Sequence, residues 1–163
     1  DLVTSVVDNY PYRTARERHC VSVHIQEDFH FRGAHPLFSQ VLANLIKNGL
    51  HALVSSSTAL CAGDLRLTVS VRNRRGRIVV ADDGIGIPNE LQSRIFEPFY
   101  STQAGAGNGL GLSFCKNVVE DARGKLSVHS QSGKGAVFTI ELPLVRSHHP
   151  MHPPAPISPD PCH

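Results

Sequence analysis

The sequence predicts an α+β domain, a two-layer α/β sandwich in which a mixed, mainly antiparallel sheet of about five strands is covered on one face by about three helices. Three observations lead there. Segments that alternate apolar and polar residues come in pairs joined by short turns, the pattern of antiparallel hairpins. Between them lie stretches whose apolar residues recur every three or four positions, the pattern of helices with one buried face. The chain has 163 residues, 40% hydrophobic and 18% charged, which is enough for one core and too short for two.

Taken in order, Leu2, Val3, Val6 and Val7 stand at helical spacing and Pro11 ends the pattern, so a short amphipathic helix opens the domain. Residues 20–26 (CVSVHIQ) and 29–31 (FHF) alternate around Glu27 and Asp28, which predicts a first hairpin. From Pro36 to Val54, Leu37, Val41, Leu42, Leu45, Ile46, Leu50 and Leu53 share one helical face, giving the strongest helix. Residues 65–73 and 77–81 read as a second hairpin with Gly76 supplying the turn. Residues 89–96 read as a short helix, and 101–109 (STQAGAGNG) as a flap too rich in Gly and Ala to hold one conformation unaided. A helix over 110–122 stops before Gly124, and residues 125–131 and 136–143 form a last hairpin through Gly133 and Gly135. The domain is expected to span residues 1–144. Residues 145–163 hold most of the prolines and His148, His149, His152 and His163, and are expected to be a linker or disordered tail rather than a metal site.

Composition excludes several function classes. Sixteen Lys and Arg against fourteen Asp and Glu give a formal charge of +2, with no sign excess large enough to suggest nucleic acid or an anionic membrane, so net charge says nothing about partners. The cysteines, Cys20, Cys61, Cys115 and Cys162, lack metal-ligand spacing and are expected to be free thiols. No apolar run approaches the length of a membrane span.

Three segments carry chemistry. Asn44 and Asn48 sit one turn apart on the long helix, with Lys47 and His51 beside them. A carboxamide oxygen is a hard ligand suited to magnesium, and the basic pair suits phosphate oxygens, although two asparagines alone are more readily read as polar residues at a helix edge. Asp82-Asp83-Gly84-Ile85-Gly86-Ile87-Pro88 follows an apolar strand. Its glycines allow a tight turn and close approach of a flat ligand, and a carboxylate at the strand end accepts a hydrogen bond from an exocyclic amine. Third, Phe96, Phe99 and Thr102 lead into Gly105, Gly107, Asn108, Gly109, Leu110, Gly111 and Leu112, where glycine-rich backbone entering a helix makes a phosphate cradle.

In this order and spacing, the three segments over residues 1–144 resemble the N, G1, F and G2 boxes of the histidine-kinase catalytic domain. That domain belongs to the ATP-binding superfamily of gyrase, a heat-shock chaperone and mismatch-repair ATPases, with the Bergerat-type fold. The resemblance implies Asn48 as the magnesium ligand with Asn44 its polar neighbour, Asp82 on the adenine amine, and Gly84 and Gly86, followed by Ile87, backing the ring. It implies Phe96 and Phe99 as anchors of an ATP lid, with Gly107, Gly109 and Gly111 around the triphosphate. Gln103 stands where the family often has lysine. Gyrase-type hydrolysis uses a glutamate where this chain has Asn44, which argues for phosphotransfer over hydrolysis.

The activity so implied is transfer of the γ-phosphate of Mg-ATP to a histidine on a separate dimerisation and phosphoacceptor domain. A response-regulator receiver domain is then expected downstream. None of His19, His24, His30, His35 or His129 has the acceptor's context. The wording NLIKNGLHAL and GNGLGLSFCK looks like the membrane-bound quorum-sensing hybrid kinases, which implies a cytoplasmic domain whose parent reaches the membrane through other segments. The alternative is a nucleotide-binding regulatory or interaction module without catalysis.

Overall fold

A computed structural model describes residues 1–56, 59–100 and 111–145. Helix α1 (Leu2–Asn9) starts where the Asp1 carboxylate accepts the Val3 N–H at 2.8 Å, and it buries Val3 and Val7. Helix α2 (Ala15–Cys20), absent from the sequence-based expectation, is too short for periodicity to reveal. Its signal is a capping pair: Thr14 Oγ1 accepts the Glu17 N–H at 3.2 Å, and Glu17 Oε2 accepts the Arg13 N–H at 2.8 Å.

Strand β1 (Val21–Ile25) pairs in parallel with β2 (Leu65–Arg72), from Val21 opposite Leu65 to Ile25 opposite Val69. The expected hairpin of residues 20–26 with 29–31 is therefore a correction. The period-two signal marks a strand without naming its partner, and parallel pairing requires a crossover, supplied by α3 (His35–Val54). The Phe29 and Phe31 alternation serves packing instead. The Phe29 ring covers Gly76, and Phe31 lies edge-on to Phe38 with centroids 4.6 Å apart.

Along α3, Phe38, Val41, Leu42, Leu45, Ile46, Leu50 and Leu53 are buried. Leu37, expected on that face, is 45% exposed, because Phe38 takes the inward position of the first turn.

Strand β3 (Arg75–Asp82) returns antiparallel to β2, with Arg72 opposite Arg75. The turn is made by Asn73 (φ 53°) and Arg74 (φ 60°), both left-handed as a two-residue hairpin of this type requires. Gly76, expected to supply it, lies within β3.

Helix α4 (Asn89–Gln92) is shorter than the 89–96 expected, and α5 (Gly111–Asp121) precedes β4 (Lys125–Ser130) and β5 (Ala136–Pro143). The left-handed residue that ends α5 is Arg123 (φ 61°) and not Gly124. The Gly124 N–H bonds the Val119 carbonyl at 2.9 Å and the Arg123 N–H bonds that of Glu120 at 2.9 Å, a Schellman closure. Gly133 and Gly135 both have positive φ in the β4–β5 turn, as their place in the sequence suggests. The 101–109 flap lies outside the described residues, as does the tail from residue 146.

The sheet order is β1-β2-β3-β5-β4. Alternate residues of its strands face the helices: Leu65, Leu67 and Val69 on β2, Ile78, Val80 and Asp82 on β3, Ala136, Phe138, Ile140 and Leu142 on β5. Against them pack α1, α3 and α5, so the mixed sheet covered by three main helices is as the sequence predicts. Cys20, Cys61 and Cys115 are free thiols, and Cys20 and Cys115 are buried.

Replacing Arg123 by glycine should remove the cost of a left-handed side-chain-bearing residue while keeping the helix stop. The denaturant midpoint is expected to rise by the equivalent of about 0.5–1 kcal/mol, with the slope unchanged.

Candidate functional site

Asp82 is the last residue of β3, and strand alternation points it to the helix side, in line with Ile78 and Val80. It is 5% exposed. Burial pushes its carboxyl up to about 6; the N–H groups of Gly84 and Ala136 pull the other way, and Asp83 adds a smaller upward push. The Gly84 N–H donates to Oδ1 at 2.9 Å.

Several close approaches hold the carboxylate there, each allowed by a missing side chain. On α3, a Cβ at Gly49 would come 2.6 Å from Leu65 and 3.7 Å from the Asp82 Cβ. At Gly84 it would meet the backbone and Cβ of Ala52 at 2.6–2.8 Å. At Gly86 (φ 70°) it would strike the Gln131 carbonyl oxygen, and at Gly135 (φ 83°) that of Asp82. Gly84 and Gly86 are thus required by the protein's own packing, whatever they offer a ligand.

The rest of the 83–88 loop is pinned from β4. Ser130 Oγ accepts the Ile87 N–H at 2.8 Å and donates to the Gly135 carbonyl at 2.6 Å. Gln92 Nε2 donates to the carbonyls of Ile87 (3.0 Å) and Ser130 (2.7 Å). The Ile85 carbonyl accepts the Gly133 N–H, and Ile85 itself is 42% exposed. Asp83 turns away to a two-pronged pair with Arg66 at 2.9 and 3.1 Å.

Midway along α3, two turns before Ala52, Asn44 reaches the start of α5. Its Nδ2 lies 3.4 Å from the Gly111 carbonyl and 3.8 Å from Cys115 Sγ, while its Oδ1 accepts from Gln40 at 2.9 Å. Burial pushes the Cys115 thiol up to about 12, so it is an uncharged packing group. Asn48, half-buried, lies one turn beyond Asn44 and one turn before Ala52, and its side chain makes no hydrogen bond among the described residues. Lys47 is exposed and His51 half-buried on adjoining positions.

Phe96 packs edge-on to Phe138, with centroids 6.4 Å apart and planes at 89°, and Lys116 Nζ lies 5.9 Å from its ring. Phe99, by contrast, is 76% exposed with φ 65°. Leu112 is half-buried on α5 behind Gly111. Thr102, Gly105, Gly107, Asn108, Gly109 and Leu110 lie outside the described residues.

The fold therefore brings the Asp82 loop and the α5 start to one helix, with Asn48 between them. It does not bring Phe99 into the core beside Phe96. Sequence reasoning missed Gly49, Ser130, Gln92 and the role of Gly135. Only Gly135 carried a signal, a second glycine two residues after Gly133, where a turn alone needs one.

Residues 33–146 match the family described as histidine kinase-, DNA gyrase B- and HSP90-like ATPase. The chain belongs to this family. Its relatives are sensor histidine kinases. It is 29% identical over 143 residues to the CAI-1 autoinducer sensor kinase/phosphatase CqsS of Vibrio cholerae, covering 88% of this chain and 20% of that protein. It is 40% identical over 120 residues to the sensor histidine kinase AruS of Pseudomonas aeruginosa, covering 69% and 12%. The chain thus spans a fifth or less of these relatives' length. The solved catalytic domain of the histidine kinase ThkA superposes with TM-score 0.72 at 28% identity, over 88% of this chain and 92% of that one. Full-length ShkA in complex with AMPPNP superposes with TM-score 0.73 at 26% identity, over 88% and 29%. The chain is thus an ATP-binding domain of the histidine-kinase type. Among the described residues, no helix is long and apolar enough to cross a membrane.

Two outcomes are expected from this geometry. Gly135→Ala should force the Asp82 carbonyl aside and lower the thermal midpoint by several degrees, whereas Gly133→Ala, which meets nothing within 4 Å, should show only the smaller cost of positive φ. Asp82 is protonated more readily in the folded chain (about 6) than in the unfolded chain (3.8). Its charged form therefore costs stability, by roughly 1.4 kcal/mol per pH unit between those values, or about 3 kcal/mol in all above pH 6. Unfolding of the nucleotide-free domain should show stability rising as pH falls from 6 towards 4, with that slope reduced in Asp82→Asn.

Proposed function

We propose that this domain binds Mg-ATP and passes the γ-phosphate to a histidine on a separate dimerisation and phosphoacceptor domain of the same parent kinase. The observation that carries the reading is the layout of α3. Asn44 touches the α5 start, Ala52 touches Gly84, and the eight-residue step from one to the other spans roughly 12 Å of helix with Asn48 at the middle. A ligand with an amine-bearing base at one end and a polyanion at the other fits that layout. Asp82 would accept from the base's amine, Lys47 and the amides at the α5 start would face the phosphates, and His51 would lie between the two ends.

The residues suit the cofactors. Asp82 is a buried acceptor that only two backbone N–H groups engage, and Asn48 is a half-buried carboxamide with no partner among the described residues. Magnesium, held by Asn48, would neutralise charge on the transferring phosphoryl group. The side chain one turn earlier, Asn44, cannot take a proton from water, and its amide is engaged with α5. The site therefore positions and neutralises, and it supplies no base for hydrolysis.

We extend the reading to a hybrid sensor kinase with a receiver domain downstream, on the resemblance of NLIKNGLHAL and GNGLGLSFCK to quorum-sensing hybrid kinases, which the autoinducer sensor kinase among the relatives supports. The same resemblance gives a cytoplasmic domain whose parent reaches the membrane through other segments. A second reading, a nucleotide-binding regulatory module without phosphotransfer, is favoured by Gln103, where the family often has lysine.

Calorimetry with ATP, ADP and a non-hydrolysable analogue separates these. Magnesium-dependent binding that Asp82→Asn removes is expected, and affinity should weaken about tenfold per unit below pH 6 as the carboxyl protonates. Joined to a phosphoacceptor domain, Asn48→Asp should abolish phosphotransfer, and an unchanged rate would sink the assignment.

A further inference from the structure

The charge on this chain balances overall but not locally. At the end of the sheet far from Asp82, Arg72 closes β2, Arg74 stands in the turn, and Arg75 and Arg77 open β3. Strand alternation and register put Arg72, Arg75 and Arg77 on the sheet face turned away from the helices, with Arg72 directly opposite Arg75. Together with Asn73 and Glu141, these arginines line a cavity of about 530 Å³, within the size range of small-ligand pockets.

The fold gains nothing from this clustering. Like charges placed directly across a strand pair, where Cβ atoms stand about 5 Å apart, are destabilising. Glu141 is the one carboxylate in the lining, and its oxygens stand 3.9 Å from Arg75 Nε and 3.8 Å from Arg77 Nε, outside hydrogen-bond range. A half-exposed carboxylate shared at such distances offsets little repulsion. Arg77 Nε is buried with no hydrogen-bond partner, the one such side-chain atom among the described residues. Arg75 finds only a long 3.4 Å contact to the Arg123 carbonyl. A two-residue turn brings the backbone of these arginines together, and their donors are only partly engaged, with Arg77 Nε unpaired.

We propose that this cavity is a second anion site, taking a phosphate group of at least two negative charges through Arg75 and Arg77, with Arg72 adding charge from β2. A guanidinium presents a planar fork of donors that matches phosphate oxygens. The Glu141 carboxylate in the wall opposes any anion, and the three arginines outnumber it, leaving a net positive site that draws a dianion more strongly than a monoanion. The site is distinct from the nucleotide site, since Arg75 and Asp82 stand at opposite ends of β3, roughly 23 Å apart along the strand. The phosphate group can belong to a soluble diphosphate or to a lipid phosphomonoester.

The test uses the chain as it stands, in two arms: sodium pyrophosphate titrated against backbone amide shifts, and co-sedimentation with phosphatidylcholine vesicles with or without phosphatidic acid. The expected result is saturable binding in one arm, at least tenfold weaker in Arg75→Ala/Arg77→Ala and unchanged in Asp82→Asn. Pyrophosphate shifts should centre on residues 72–77 and 141. Nucleotide binding by the double variant, retained at wild-type strength, would show that its fold is intact. Binding to pyrophosphate alone identifies a soluble ligand, and binding only to phosphatidic acid identifies a headgroup. Failure of both arms, or equal binding by wild type and double variant, would overturn the proposal.

Discussion

A carboxylate buried at the end of a strand is the constraint from which the architecture of this site follows. Residue 82 falls on the face that Ile78 and Val80 bury, so alternation alone carries a polar group beneath the helical layer. An isolated buried carboxylate is costly and needs nearby donors. Here they are backbone N–H groups, Gly84 immediately after the strand and Ala136 on the neighbouring strand. Bringing backbone that close from both sides requires residues without side chains, as at Gly84 and Gly135, and at Gly135 and Gly86 a Cβ would collide with a backbone carbonyl. The loop is then tied through Ser130 and Gln92, so the position of a single carboxylate engages α3, α4, β4 and β5.

The long helix acts as a ruler between the two halves of the site. Its apolar face is held by the sheet, which fixes both its rotation and its height, and its polar edge therefore presents Asn44, Asn48 and His51 at set intervals. Because Asn44 meets the first turn of α5 while Ala52 meets the Asp82 loop, moving α3 along its axis would disturb both ends together. Cys115, buried and neutral under Asn44, contributes to this as a packing group rather than a reactive one.

What the sequence discloses and what it conceals divide along physical lines. Periodicity shows α3, α5 and the β2–β3 and β4–β5 hairpins, since each is encoded by neighbours in the chain. It conceals α2, which is too short to show a period, and it mispairs β1, whose partner is some forty residues away across a helix. It assigns left-handed turns to Gly76 and Gly124, where Asn73, Arg74 and Arg123 adopt them instead; the two glycines serve close packing against Phe29 and Glu141. Asp82 and the asparagines are legible because their motif is local. Gly49, Ser130 and Gln92 are not, because each meets the site from another element.

The parallel pairing of β1 with β2 also bears on how the domain assembles. The β2–β3 and β4–β5 ribbons close over turns of a few residues, and little chain entropy is lost in joining their ends. Strand β1 has no such local partner. Its five residues find β2 only after α3 has spanned the sheet. Contacts of such sequence separation are the slow ones in domain folding, and the joining of the two ribbons through β3 and β5 is another, so this edge strand is expected to pair only after the local ribbons have closed.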